Sequence, residues 1–255
     1  SETFGAHDLG LETAQHYVLG MEFEGESDWA WRIEAYYKSM DDLIVSNPSV
    51  QYDELGAEVA VTSVPNYFNA GSGKAYGLEL LVNKAISDKW YGWLSVAYSK
   101  TERVNDLTGD EFSYEFDLPW IVNLVGNYEI NERWQGGLRW RYQSGGLYTP
   151  ITGATPVYPL DSNGQSDPAQ MAIFYDPIED DFNSERLEAF HRLDVRFDYQ
   201  TNWWGYETNV YFEVLNLYGQ RSIEGYDYNE DYTEREPTYE FPESPIPSVG
   251  LQMVF

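Results

Sequence analysis

Three histidines, 43 carboxylates and 22 tyrosines are the side chains through which this 255-residue chain could do chemistry. Their spacing limits what that chemistry is. His7, His16 and His191 show no metal-ligand spacing. His191 and Asp194 are the one candidate carboxylate–histidine pair, but three residues along a strand puts them on opposite faces. There is no cysteine, hence no thiolate metal site and no cysteine nucleophile. G-x-S-x-G, P-loop and HExxH motifs are absent. Asp227-x-Asn229-x-Asp231 begins like a calcium loop. Position six is Tyr232, where glycine is needed, and position twelve is Thr238, where glutamate is needed. A formal calcium loop is therefore rejected, loosely bound calcium is the most that is left, and no cofactor or metal site is expected.

What remains is recognition chemistry. One acidic, aromatic segment carries Tyr226, Asp227, Tyr228 and Asp231. A longer one carries Tyr148, Tyr175, Asp180 and Asp181, with Phe174 and Phe182 nearby. Aromatic faces beside carboxylates suit sugar rings or cations. They suit anionic iron chelates poorly, because like charge repels. The net charge of −28, from 15 basic and 43 acidic residues, excludes a nucleic-acid partner.

The elements that must carry these segments read as strands. Side chains alternate along a strand, and period-2 apolar patterning recurs nine times. It runs through Tyr17, Leu19, Met21 and Phe23, then Trp29, Trp31, Ile33, Ala35 and Tyr37, then Tyr76, Leu78, Leu80 and Val82. It continues in Leu94, Val96 and Tyr98, in Val122, Leu124 and Tyr128, and in Trp134, Leu138, Trp140 and Tyr142. Leu193, Val195, Phe197 and Tyr199 follow, then Thr208, Val210, Phe212 and Val214, and last Val249, Leu251, Met253 and Phe255. Segments of about ten alternating residues are the signature of a transmembrane β-barrel, and 17% aromatic content suits its interfacial girdles. No apolar run of about 18 residues would make a membrane-spanning helix.

The connections alternate too. Links 25–28, 87–89, 129–132 and 201–205 are short; links 45–69, 102–118, 144–191 and 218–245 are long. Barrels of the bacterial outer membrane have short periplasmic turns and long extracellular loops. The expected fold is all-β, an antiparallel transmembrane β-barrel. Acidic loops on the outside also suit a solvated surface bridged by divalent ions to lipopolysaccharide. Counting back from a periplasmic C-terminus puts residues 1–14 outside the cell, with an odd number of strands, and bacterial single-chain barrels have even counts. Upstream strands would remove both anomalies, so the expectation is the C-terminal part of a larger barrel. A tenth strand at 59–64 is the alternative, although it would break the alternation of links.

Several segments carry a family resemblance. Gly10-Leu11-Glu12-Thr13-Ala14-Gln15-His16-Tyr17 with Glu34-Ala35-Tyr36-Tyr37-Lys38 is one. Asn69-Ala70-Gly71 followed by Tyr76-Gly77-Leu78-Glu79-Leu80 is another. Asp117-Leu118-Pro119-Trp120, Glu213-Val214-Leu215-Asn216-Leu217-Tyr218 and the terminal phenylalanine complete the set. In order and spacing they resemble the C-terminal half of a TonB-dependent outer-membrane receptor. The tail, with Gly250, Met253 and Phe255, resembles the signal read by the barrel assembly machinery. The resemblance implies a 22-stranded barrel, about nine strands of it here, plugged by an N-terminal domain. It implies energy-coupled import of an iron chelate, cobalamin or an oligosaccharide through the TonB system, in the outer membrane of a Gram-negative bacterium. The plug, the coupling box and the N-terminal strands of that pattern are not in these 255 residues.

On the face opposite the apolar one, Glu79, Arg139, Arg141, Arg192, Asp194, Arg196 and Glu213 are expected to face the lumen. Arg139 and Arg141 on one strand, with Arg192, Asp194, Arg196 and Asp198 on the next, suit a cross-strand ion-pair ladder. They could instead hold the plug or line the ligand path. Two other classes stay open at this level. One is a small barrel enzyme, similar to omptin proteases or the outer-membrane phospholipase and using His191. The other is a soluble carbohydrate-binding β-sandwich.

Overall fold

A computed structural model of the chain describes residues 9–25, 28–47, 67–160, 163, 165–239 and 244–254. The possible strand at 59–64, most of link 45–69 and Phe255 lie outside these residues. The described residues contain sixteen strands and no helix. Nine of them form the wall: β1 (Thr13–Glu24), β2 (Trp29–Ser46), β3 (Tyr67–Ser87), β4 (Trp90–Asn105), β6 (Trp120–Glu129), β7 (Trp134–Gln143), β12 (Phe190–Trp203), β13 (Tyr206–Leu215) and β16 (Ile246–Val254). They pair antiparallel in that order, each with its predecessor in the wall. These are the nine strands the alternation predicts.

Register puts the apolar positions on one face across the whole sheet. Phe23 stands opposite Trp31, which stands opposite Val82, then Leu94, Leu124, Trp140 and Leu193. The next row on the other face runs Glu22, Arg32, Leu81, Ser95, Asn123, Arg141 and Arg192. No second sheet covers the apolar face among the described residues. Met40 and Leu43 are the only hydrophobic side chains among them that are buried, while Leu19, Leu78 and Val249 are more than half exposed. A sandwich needs a shared apolar core between two sheets, so the soluble-sandwich alternative fails. An apolar face this large is stable only against lipid.

The stretch of each strand that lies in lipid can be read from the aromatic side chains. Trp29 and Tyr37, Trp90 and Tyr98, Trp120 and Tyr128, Trp134 and Tyr142, and His191 and Tyr199 each stand eight positions apart on their strands. Eight intervals at about 3.3 Å make about 26 Å of strand, and nine residues match a tilted membrane-spanning strand. Register closes the rings into two belts. Trp90 stands opposite Tyr128, Tyr98 opposite Trp120, Trp134 opposite Tyr199 and Tyr142 opposite His191. Ring centroids lie 5.0 Å apart for Tyr98–Trp120 and 4.8 Å for Trp134–Tyr199. In the lower belt the Lys84 ammonium sits 4.5 Å over the Trp90 ring, a cation stem lying along an apolar face with its charge at the interface.

Above the upper belt the expected loops turn out to be hairpins. β2 and β3 run on to Ser46 and Tyr67, and β4 continues to Asn105 against β5 (Asp110–Ser113). The link 144–191 is a folded-back pair of ladders. In it β8 (Leu147–Tyr148) pairs with β11 (Glu185–Arg186), and β9 (Ile151–Val157) with β10 (Phe174–Glu179). The link 218–245 holds β14 (Ile223–Tyr228) paired with β15 (Arg235–Tyr239). Outside the membrane both strand faces meet water, so alternation fades and the sequence pattern loses these strands.

Two glycines of the resemblance motifs are explained by close approach. A side chain at Gly77 would strike the Tyr98 carbonyl and the Tyr36 ring. One at Gly250 would strike the Tyr211 ring, which lies across the last strand from its place opposite on β13. Aromatic cover of a strand glycine pins register.

Candidate functional site

The seven polar-face candidates, Glu79, Arg139, Arg141, Arg192, Asp194, Arg196 and Glu213, all fall on one face. In a barrel this is the lumen face. They do not form the expected cross-strand ladder. The ion pairs run along the strand: Arg192–Asp194 at 2.9 Å, Arg196–Asp198 at 2.7 Å and Arg32–Glu34 at 3.4 Å. Residues i and i+2 share a face, well within the reach of an arginine side chain. Register also opposes like charges, Arg141 to Arg192 and Glu34 to Glu79. Arg139 does stand opposite Asp194, but that carboxylate is engaged elsewhere. Asp194 is buried, accepts from Arg192, and accepts the backbone N–H of Asn216 at 2.9 Å.

Asn216 is the most deeply buried side chain among the described residues, at 1% exposure. Its φ of +53° is a left-handed conformation that asparagine tolerates better than most residues. Its side chain donates to the Gln220 carbonyl and accepts from the Gln220 N–H, closing the turn that leaves β13. His191 Nδ1 lies 2.8 Å from the Tyr218 hydroxyl in the upper belt. His191 and Asp194 are thus engaged in two separate structural contacts on opposite faces, and no proton relay joins them.

The sequence reading missed a second buried carboxylate, Asp117, although it sits in a quoted motif. Asp117 is 3% exposed and accepts the Thr101 N–H at 2.7 Å. Its Oδ2 accepts from Arg186 Nη2 at 2.8 Å, while Arg186 Nη1 donates to the carbonyls of Asp117 and Gly145. This knot ties the link after β5 to the base of the long hairpin. Asn183 adds a bond to the Ser113 carbonyl at 3.1 Å.

The loop candidates divide into two places. Asp181 and Phe182 line a cleft of about 700 Å³ with Glu111, Phe112 and Arg103, next to the outer end of β2. Asp180 donates its backbone N–H to the Pro150 carbonyl and accepts from the Asp181 N–H. Tyr175, Tyr226, Asp227 and Tyr228 converge instead on a cleft of about 580 Å³ between the β9–β10 and β14–β15 hairpins. Asp231 lines an adjoining cleft of about 610 Å³.

The Asp227-x-Asn229-x-Asp231 spacing belongs to a hairpin tip. Asn229 Oδ1 accepts the Glu234 N–H, and Asn229 Nδ2 donates to Thr233 Oγ1. Asp231 accepts both the N–H and the hydroxyl of Thr233, which holds its carboxyl below the usual carboxylate range. Among the described residues no group of three or more His, Cys, Asp or Glu is arranged to hold a metal ion.

Tyr148 joins the two hairpins. Its hydroxyl donates to Glu185 and accepts from Arg235 at 3.3 Å, its ring lies 5.3 Å from Tyr226, and Arg235 stacks 4.4 Å over Tyr226. Burial, and then the Glu185 carboxylate, push the Tyr148 hydroxyl up to about 12. A raised pKa on a group that is neutral when protonated means the junction is at full strength below about 10, the free tyrosine value. It weakens as pH rises from about 10 through about 12. Accessibility of the 144–190 segment to protease should therefore rise over that alkaline window, and Tyr148→Phe should remove the pH dependence. A junction equally closed at both ends of the window would refute the assignment.

With the geometry in place, the relatives decide the family. The sequence matches the family described as TonB dependent receptor-like, beta-barrel, over residues 1–217. The chain belongs to that family. Members are proteins of the Gram-negative outer membrane, receptors and transporters rather than enzymes. Among solved structures it is similar to the ferric-catecholate import receptor Fiu from K12 E. coli, with a TM-score of 0.63 and 14% identity over 98% of this chain and 29% of that one. It is similar to the outer membrane transporter YddB from Escherichia coli, TM-score 0.58 and 14% identity over 97% and 33%. It is similar to the FrpB iron transporter from Neisseria meningitidis, TM-score 0.55 and 16% identity over 96% and 32%. No curated protein sequence matches. The chain spans about a third of the length of these structures, and at these identities the likeness concerns the fold. For this TonB-dependent receptor barrel, β16 and the Gly250 contact with Tyr211 are part of the wall.

Proposed function

We propose that this chain is the C-terminal barrel portion of an outer-membrane receptor that imports a scarce nutrient, its lumen face and outer hairpins shaping the ligand path. The observation that carries this reading is the girdled wall whose hairpins beyond the upper belt line clefts of their own. Further strands would complete the wall at its open edges, β1 and β16, and a plug would fill the lumen. Import against a gradient needs an energy source, which the TonB system supplies to such receptors through the plug. Lipid and lipopolysaccharide would contact the apolar face and the acidic rim, and the barrel assembly machinery would read the last strand.

The test is uptake. Cells carrying the complete gene should accumulate a nutrient from dilute medium, and deletion of the TonB gene should abolish that accumulation while leaving the protein in the outer-membrane fraction. Uptake that continues without TonB, or recovery of the protein in the aqueous fraction, would overturn the proposal.

A further inference from the structure

We infer that the two adjoining clefts between the β9–β10 and β14–β15 hairpins form one groove that binds a neutral oligosaccharide. This inference rests on the receptor reading and names the ligand class of that site. The clefts share Tyr175, Ala172, Asn229 and Glu230, so they run into each other. Together they are far larger than a cage for a single small cation. Tyr175, Tyr226, Tyr228 and Tyr232 line the first cleft half-buried, and Tyr158 and Gln170 line the second. The rings are tilted rather than boxed: those of Tyr228 and Tyr232 lie 5.7 Å apart at 42°. Such a wall offers several separate faces on which the C–H faces of successive sugar rings can lie.

The polar groups point the same way. Asp227 and Glu230 are exposed acceptors at the groove, and Gln170 adds its amide oxygen. Acceptors of this kind take hydrogen bonds from sugar hydroxyls. No lysine or arginine lines either cleft; Arg235, behind the Tyr226 ring, is held by the junction, so an anionic chelate would meet a rim dominated by Asp227 and Glu230. A metal ion is disfavoured because Asp231 and Asn229 already serve the hairpin tip. The Tyr148 junction ties β8, at the base of the longer hairpin, to Tyr226 and Arg235 near the tip of the β14–β15 hairpin.

The experiment uses the complete receptor purified in detergent. It is titrated calorimetrically with maltohexaose, xylohexaose, cellohexaose and laminarihexaose, and with ferric tris-catecholate as the anionic probe. The expected result is saturable binding of at least one neutral hexasaccharide and none of the ferric complex. Tyr175→Ala and Tyr228→Ala should each weaken that binding about tenfold, roughly 1.4 kcal/mol, and Tyr228→Phe should restore most of it. Heat-modifiability on gels should stay unchanged, showing that the barrel still folds. Binding of none of the four sugars at millimolar concentration, binding that survives both alanine substitutions, or saturable binding of the ferric complex would overturn the inference. The receptor reading is scored separately by TonB-dependent uptake, so a failed sugar titration with intact energy-coupled uptake sinks the ligand class alone.

Discussion

Asp117→Ala is expected to loosen the outer half of the molecule by about 3 kcal/mol, because removing one partner of a buried ion pair strands the other. The Asp117 side chain is 3% exposed and that of Arg186 28%, which places the cost at the low end for buried pairs. Beyond the charge, the carboxylate accepts the Thr101 N–H, so the substitution also orphans a backbone donor at the end of the wall. Asp117→Asn keeps an acceptor for Thr101 but loses the charge and should fall between wild type and alanine. The measurement is the urea midpoint of the folded barrel in detergent, followed by tryptophan fluorescence, together with protease cleavage in 105–119 and 144–190. Arg186→Ala in the same background completes a double-mutant cycle, and the two losses should overlap rather than add. An Asp117→Ala protein within about 0.5 kcal/mol of wild type and equally protease-resistant would show that the knot does not hold the hairpins.

The second large effect is a charge placed on the lipid face. Leu124 lies midway between Trp120 and Tyr128 and opposite Leu94 on the apolar face. Leu124→Arg should therefore cost about 2–4 kcal/mol, as arginine does at the midplane of a barrel wall. Tyr128→Arg on the same face, in the lower belt, should cost about 0–1 kcal/mol from the charge, because the side chain reaches the interface. Asn123→Arg differs from Leu124→Arg by one residue in sequence but falls on the polar face between Ser95 and Arg141. It should cost far less than Leu124→Arg. Folding into phospholipid vesicles, read by gel shift and denaturant titration, ranks the three. Equal costs at 123 and 124 would mean that the two faces do not meet different solvents.

How much of this was legible beforehand follows from which solvent each strand meets. Between the belts one face is in lipid and the other is wet, so Tyr17 to Phe23 or Leu193 to Tyr199 carry a full alternation, and all nine wall strands were readable. Past the belts both faces are wet, and β8 to β11, β14 and β15 left no such trace. The charge ladder was misread for a different reason. Alternation placed Arg139, Arg141, Arg192 and Asp194 on one face correctly, but the register that sets Arg141 against Arg192 is decided by pairing across strands.

The site shows the same division. Tyr175, Tyr226, Asp227 and Tyr228 stood out by residue type alone, yet Tyr175 lies about fifty residues from the other three in the chain. The hairpin ladders and the Tyr148 junction bring them to one groove, while Asp180 and Asp181 go elsewhere. Asp117 and Asn216 were visible only as letters in family motifs, since burial is a property of what packs around a residue. The sequence alone determined the membrane, the wall and its two faces, because a side chain's choice between lipid and water repeats locally every second residue. The tertiary structure alone decided which charges pair, which carboxylates are buried and where the groove opens, because each depends on register between strands distant in sequence.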